Sequence, residues 1–86
     1  MTMIAAVVPC YRVSKQILGV LREIGPEVEK IYIVDDACPE KSGKLVAENN
    51  SDPRVEVLYH EKNLGVGGAV KTGYRKAMVD GATIIV

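Results

Sequence analysis

Two adjacent carboxylates, Asp35 and Asp36, stand directly after four apolar residues at positions 31–34. This apolar run is typical of a strand covered on both faces, as in a parallel sheet flanked by helices. Because ligands of open α/β sheets bind outside the carboxyl ends of the strands, acids at this point are candidates for ligand contact. The alternative is a solvated pair that opens a turn, since aspartate favours turns and caps.

A second candidate segment is rich in glycine, with Gly65, Gly67, Gly68 and Gly73 inside a helical pattern. Each interior helical glycine costs up to about 1 kcal/mol relative to alanine, so the cluster indicates that close approach of the backbone matters. One interpretation is tight packing of this helix on the sheet. The other is a helix N-terminus open to a phosphate or sugar. The pattern favours neither.

The cysteines and the histidine offer little chemistry by their spacing. Cys10 and Cys38 each follow a predicted strand and have no metal-ligand spacing, so we interpret both as reduced thiols. His60, the single histidine, has no cysteine or second histidine near it in sequence. We therefore expect a surface residue rather than a ligand.

Hydrophobic periodicity predicts four strands alternating with three helices. The predicted strands span 3–8, ended by Pro9, then 31–34, 54–59 and 82–86. Ser14 and Ser42 are predicted to cap the first two helices, and the third begins near Val66 and ends at Asp80-Gly81. The apolar stripe predicted for the third helix contains Val66, Ala69, Val70, Gly73, Tyr74, Ala77 and Met78.

This alternation predicts an α/β fold, a Rossmann-like three-layer half-domain with a parallel sheet in the order 3-2-1-4. The third predicted strand has partial alternation, which fits a position near the sheet edge. Eighty-six residues are enough for one small domain.

Composition excludes several classes of protein. Eleven basic and eleven acidic residues balance, so the charge footprint of a nucleic-acid or anionic-membrane binder is absent. No apolar run approaches the roughly 18 residues of a membrane span. The first eight residues lack the basic and long apolar regions of a signal peptide, so we expect a cytoplasmic chain.

Common ligand motifs are also missing. The turn after the first strand, residues 9–14, contains no glycine, which disfavours a dinucleotide such as NAD. The sequence has no Gly-Lys-Ser/Thr phosphate-binding loop, and one isolated histidine gives no support for nucleophilic hydrolysis.

Three ordered motifs resemble those of family 2 glycosyltransferases, particularly the polyprenyl-phosphate branch that includes dolichyl-phosphate mannose synthases. The motifs are Val7-Val8-Pro9-Cys10-Tyr11, Val34-Asp35-Asp36 and Asn63-x-Gly65-x-Gly67-x-Ala69-x3-Gly73-x3-Ala77-x3-Gly81. The resemblance covers essentially all of the chain, and the glycine helix is its most specific part.

The resemblance implies a GT-A fold that binds a UDP- or GDP-sugar and transfers the sugar to an acceptor such as a polyprenyl phosphate. It places Pro9 and Tyr11 in the nucleobase pocket and Val34 and Asp36 against the base and ribose, with Asp35 as a supporting neighbour. Asp36 suits this role because a carboxylate accepts hydrogen bonds from the N–H of uracil or guanine.

The chain departs from the family pattern at two loops. Arg12-Val13 replaces the usual Asn-Glu, and Ala37-Cys38 replaces the usual Gly-Ser. The resemblance therefore specifies neither the donor base nor the sugar.

A third departure concerns the metal. The Asp-x-Asp motif that holds Mg²⁺ or Mn²⁺ in such enzymes would follow Val86. We therefore expect residues 1–86 to be the N-terminal nucleotide-sugar-binding part of a parent enzyme. We expect this part to hold no metal and to have no activity alone. The parent enzyme is compatible with membrane association.

Two other functions stay open. A nucleotidyltransferase shares a related sheet, although the usual glycine- and basic-rich loop after strand one is absent. A non-catalytic α/β nucleotide-binding or assembly module is the alternative from another class.

The last strand carries a prediction about association. Residues Ile84-Ile85-Val86 form an apolar edge without charge or proline. Exposed edges of this kind pair with other chains, so we expect a homodimer through the fourth strand.

Overall fold

A computed structural model describes residues 2–12 and 15–86 of the chain. Within them, all strand pairs are parallel and the strand order is β3-β2-β1-β4, which confirms the predicted fold class and topology. The strands are β1 Ile4–Cys10, β2 Lys30–Asp35, β3 Val55–Tyr59 and β4 Ile84–Ile85, and the helices are α1 Ile17–Glu23, α2 Ser42–Asn49 and α3 Gly65–Val79. The predicted cap Ser14 lies outside the described residues.

Side chains along β2 alternate between the two faces of the sheet, and helices cover both faces, so the molecule has three layers. Ile31 and Ile33 point to one face, where they pack with residues of α1 and α2 in the larger core cluster. Tyr32 points to the other face and packs with Ala5 and with Ala77 of α3. The side chain direction of each β2 residue therefore decides which helices it meets.

Helix α3 lies close to the sheet because small residues form its contact surface. Ala69, Gly73 and Ala77 are buried at a spacing of four residues. A Cβ atom on Gly73 would overlap Val7 and lie 3.2 Å from Cγ2 of Val34. The predicted tight packing of this helix is confirmed.

The predicted apolar stripe of α3 is wrong for its bulky members. Val66, Val70, Tyr74 and Met78 are exposed, with 41% to 69% of their surface accessible. Val70, Tyr74 and Met78 each follow a small contact residue by one position, and one position rotates a side chain by about 100° around the helix. The close approach of the backbone leaves room on the sheet only for the small residues.

Two predicted boundaries are also wrong. Strand β1 continues through Pro9 to Cys10. The Val7 N–H bonds to Val86 O at 2.9 Å, so residues of this parity face β4. Pro9 has the same parity but lies two residues beyond this bond, past the described pairing of β1 with β4. Its missing N–H therefore costs no hydrogen bond to β4.

Ser42 is the first residue of α2 rather than its cap. The cap residue is Lys41, in a left-handed conformation with φ 54°. The Ser42 side chain is fully buried, with Oγ 3.2 Å from the Cys38 Sγ atom.

Both cysteines are buried free thiols, as predicted. No helix among the described residues combines the length and apolarity needed to cross a membrane.

Candidate functional site

A cavity of about 190 Å³ lies at the carboxyl ends of β1 and β2, beneath the first turns of α3. Its volume is below the roughly 300–1,000 Å³ of pockets that enclose a whole small molecule, so it suits one ring of a larger ligand. The lining residues are Pro9, Cys10, Tyr11, Asp36, Val66 and Ala69.

Three of the five predicted site residues meet in this cavity, namely Pro9, Tyr11 and Asp36. Strand register explains the meeting. Pro9 pairs with Val34, and Asp36 follows Val34 with the same parity, so both face α3 at the same end of the sheet.

Tyr11 gives the cavity an aromatic surface. Its side chain is 41% exposed, and the guanidinium of Arg12 lies 5.5 Å from the centre of its ring. That distance is within the range of a cation–π contact, which limits the freedom of the ring. One partly accessible aromatic face beside a carboxylate is suited to a planar heterocycle with N–H donors.

Asp36 is almost fully buried and acts as the acceptor for the start of α3. Its Oδ1 atom accepts the N–H of Leu64 at 2.7 Å, and its Oδ2 atom accepts the N–H of Gly65 at 2.8 Å. The Nδ1 atom of His60 lies 2.8 Å from Oδ1. Gly65 has a φ of 83°, which glycine adopts without strain, and this conformation directs its N–H to the carboxylate.

These contacts keep Asp36 ionised. Burial alone would raise the pKa of the carboxyl, but the hydrogen bonds from His60, Leu64 and Gly65 outweigh burial and hold the pKa below its ordinary value. A carboxylate accepts about four hydrogen bonds, and the described side chains and backbone supply three, two on Oδ1 and one on Oδ2.

Asp35 and Val34 do not line the cavity. The carboxylate of Asp35 accepts the N–H of Cys38 at 2.7 Å and the N–H of Gly43 at 2.8 Å, on the face covered by α2. Val34 is fully buried and packs near Gly73 under α3.

The prediction that His60 is a surface residue is wrong. Its side chain is 9% exposed and bridges Asp36 and Thr72, with Nε2 2.7 Å from Thr72 Oγ1. Strand alternation in the sequence indicates on which face of the sheet His60 lies. Since Val55, Val57 and Tyr59 share one face of β3, His60 belongs to the opposite face, next to Asp36.

The two loops that depart from the family pattern touch each other. Arg12 and Ala37 both have left-handed backbones, with φ values of 57° and 55°. The N–H of Arg12 donates to the Cys38 sulfur at 3.0 Å. Burial alone would raise the pKa of Cys38, but this bond and those from Ser42 hold it below its ordinary value. By contrast, burial raises the pKa of Cys10 to about 12.

The described acidic residues do not fit a divalent metal. Among the described residues, no three or more histidine, cysteine, aspartate or glutamate side chains are grouped so that they could hold an ion. Asp35 and Asp36 already accept backbone N–H groups.

Comparison with known proteins gives the family. Residues 5–86 match the model of glycosyl transferase family 2. The match covers nearly the whole chain, so the chain belongs to this family, as the ordered motifs predicted.

Two curated relatives belong to the predicted branch. The chain is 31% identical to an undecaprenyl-phosphate mannosyltransferase of Micrococcus luteus, over 96% of this chain and 35% of the relative. It is 33% identical to a UDP-N-acetylglucosamine–dolichyl-phosphate N-acetylglucosaminyltransferase of Methanococcus voltae, over 98% of this chain and 39% of the relative. The chain therefore spans little more than a third of the length of these relatives.

Proposed function

We propose that this chain forms the nucleobase-binding part of a glycosyltransferase that moves a sugar from a UDP- or GDP-sugar to a polyprenyl phosphate. The observation that carries the proposal is the cavity shared by Pro9, Tyr11 and Asp36. It lies outside the carboxyl ends of parallel strands, where α/β sheets bind ligands. Family membership favours this enzyme function over a non-catalytic nucleotide-binding or assembly module.

The chemistry of the cavity supports a base more than a phosphate. The ring of Tyr11 offers a stacking surface, and Asp36 offers an acceptor for a ring N–H. The N–H groups of Leu64 and Gly65, which would otherwise bind an anion at the start of α3, already donate to Asp36. A negative phosphate would meet the ionised carboxylate there.

The names of the two relatives support the proposed class of sugar acceptor. One is named for undecaprenyl phosphate and the other for dolichyl phosphate, and both acceptors are polyprenyl phosphates. We extend this class of acceptor to the parent protein of this chain.

The binding proposal is tested by titrating uridine, guanosine, UDP and GDP into the labelled protein and recording amide chemical shifts. We expect weak binding in which the diphosphate adds little to the matching nucleoside, with shifts at Tyr11 and Asp36. Asp36→Ala should abolish these shifts at a temperature where the variant is folded. Shifts confined to residues 65–69 would contradict the proposal and indicate a phosphate site.

We also propose that the 86 residues alone transfer no sugar, with Mg²⁺ or Mn²⁺ held elsewhere in the parent enzyme. Release of nucleoside diphosphate from a nucleotide-sugar, above a control without protein and with either ion present, would refute this.

We further propose a cytoplasmic location. We also propose that the chain forms a homodimer through β4. Ile84 of β4, one of the two edge strands of the described sheet, is 46% exposed, and Val86, which follows this strand, is 68% exposed. This exposure supports pairing with a second copy. Light scattering across a concentration series should show a dimer that Ile84→Lys dissociates. A monomer at millimolar concentration would exclude the dimer.

A further inference from the structure

A chain of three polar side chains connects the ends of β2 and β3 to the middle of α3. The Nδ1 atom of His60 lies 2.8 Å from Asp36 Oδ1, and its Nε2 atom lies 2.7 Å from Thr72 Oγ1. Thr72 Oγ1 is also 3.1 Å from the carbonyl oxygen of Gly68, in the glycine-rich turn. The motifs of the family resemblance include neither His60 nor Thr72.

The charge on Asp36 determines which atom carries the hydrogen in its contact with His60. An ionised carboxylate only accepts, so the Nδ1 atom of His60 must carry the hydrogen that it shares with Asp36. This contact fixes which ring nitrogen is protonated in the neutral imidazole.

Thr72 adapts to either charge state of the ring. When the ring is neutral, Nε2 accepts the single hydroxyl hydrogen of Thr72. When the ring is protonated, Nε2 donates to Thr72 Oγ1, and the hydroxyl donates to the Gly68 carbonyl instead. In both states the bond from Nδ1 to Asp36 is unchanged.

We propose that His60 is a positioning residue of the nucleobase site, which holds the Asp36 carboxylate in the rotamer that lines the cavity beside Pro9 and Tyr11. This proposal rests on the proposed function. The terminal torsion of an aspartate is broad, so the carboxylate needs donors from more than one direction to fix it. Leu64 and Gly65 supply donors from α3, and His60 supplies the donor from the end of β3.

The contact with His60 also restricts what Asp36 can bind. Among the described residues, two donors contact Oδ1 and one contacts Oδ2, so a single further N–H would complete the four hydrogen bonds of the carboxylate. The arrangement therefore suits a base that offers a ring N–H, and it disfavours a ligand that presents an acceptor or an anion at this point.

The test compares nucleoside binding by four variants with wild type. His60→Ala removes the donor, His60→Asn retains an N–H donor near the Nδ1 position, and Thr72→Val removes the outer partner of the ring. Tyr32→Phe is the control, because it removes a 2.7 Å hydrogen bond to Asp80 on the same face of the sheet without touching the cavity. All are measured at a temperature where unfolding curves show them to be folded.

We expect His60→Ala to weaken binding of uridine or guanosine, whichever binds wild type, by about tenfold, equivalent to about 1.4 kcal/mol. Thr72→Val should have a smaller effect, and His60→Asn and Tyr32→Phe should stay close to wild type. Nitrogen-15 spectra of the single imidazole should show a protonated Nδ1.

Several outcomes would overturn the proposal. Binding that Asp36→Ala abolishes but His60→Ala leaves intact would overturn it and leave the proposed function standing. An unprotonated Nδ1 in the folded protein, or equal losses in His60→Ala and Tyr32→Phe, would also overturn it. If wild type binds neither nucleoside, the proposed function fails and this inference fails with it.

Discussion

The two adjacent aspartates at the end of β2 both accept hydrogen bonds from backbone N–H groups at the start of a helix, but on opposite faces of the sheet. Asp35 accepts two N–H groups around the start of α2, and Asp36 accepts two at the start of α3. They differ in their surroundings. Asp35 is enclosed beneath α2, whereas Asp36 lines a cavity. The difference shows that position on a face, rather than residue type, separates a structural carboxylate from a ligand-binding candidate.

The largest expected effect tests how closely α3 approaches its face of the sheet. Gly73→Ala places a methyl group against the stiff side chain of Val7, so we expect a loss of about 3 kcal/mol in the free energy of unfolding. Gly67→Ala is the matched control, since a Cβ there meets nothing within 4 Å. It should stabilise the protein by up to about 1 kcal/mol. Urea unfolding of both variants provides the measurement, and a neutral Gly73→Ala would contradict the close approach.

The next effect compares the aspartates directly. Asp35→Ala leaves the buried N–H groups of Cys38 and Gly43 without their acceptor. Asp36→Ala removes the acceptor of the part-buried Leu64 N–H and leaves the Gly65 N–H with only Asn63 Oδ1, and it also removes the partner of His60 Nδ1. Each variant should therefore lower the free energy of unfolding by about 2 kcal/mol. Only Asp36→Ala should change nucleoside binding. Chemical-shift titrations of both variants, below their unfolding temperatures, distinguish the two roles. Equal loss of binding in both variants would remove the distinction.

A smaller effect lies in the loop that follows the two aspartates. Ala37 has a φ of 55°, a left-handed conformation that is strained for a residue with a Cβ. Ala37→Gly should therefore raise the free energy of unfolding by about 1 kcal/mol, despite the greater freedom of glycine in the unfolded chain. Chemical denaturation measures the change. A destabilised variant would show that the alanine side chain makes contacts that outweigh the strain.

The smallest expected effect is a change in pH dependence. Because the pKa of Asp36 is lower in the folded state than its ordinary value of about 3.9, its contribution to stability is fully present above that value. The contribution is lost as the pH falls through the lowered folded value. Urea midpoints at neutral pH and at about pH 3 should therefore differ less for Asp36→Asn than for wild type. Identical differences would show that Asp36 is not the group responsible.

The sequence predicted the strands and their order, because these depend on periodicity and on where each strand ends. Asp36 was a candidate because of its place at the end of a strand, whereas the family resemblance implied Pro9 and Tyr11. It mispredicted Ser42, His60 and the bulky residues of α3, because their roles depend on neighbours distant in sequence. Asp36 and His60 are 24 residues apart and meet only through the pairing of β2 with β3. The stripe of α3 was misread because the pattern does not show how closely a glycine-rich helix approaches the sheet.

The placement of both aspartates on one strand has a consequence for the order of folding. Asp35 reaches Gly43 across 8 residues, whereas Asp36 reaches Gly65 across 29. Closing the longer loop costs about 1 kcal/mol more chain entropy, and it requires β3 to be in place beside β2. We therefore expect the first turn of α2 to become protected from hydrogen exchange before the first turn of α3 during refolding, so that the cavity forms after the α2 side of the sheet end.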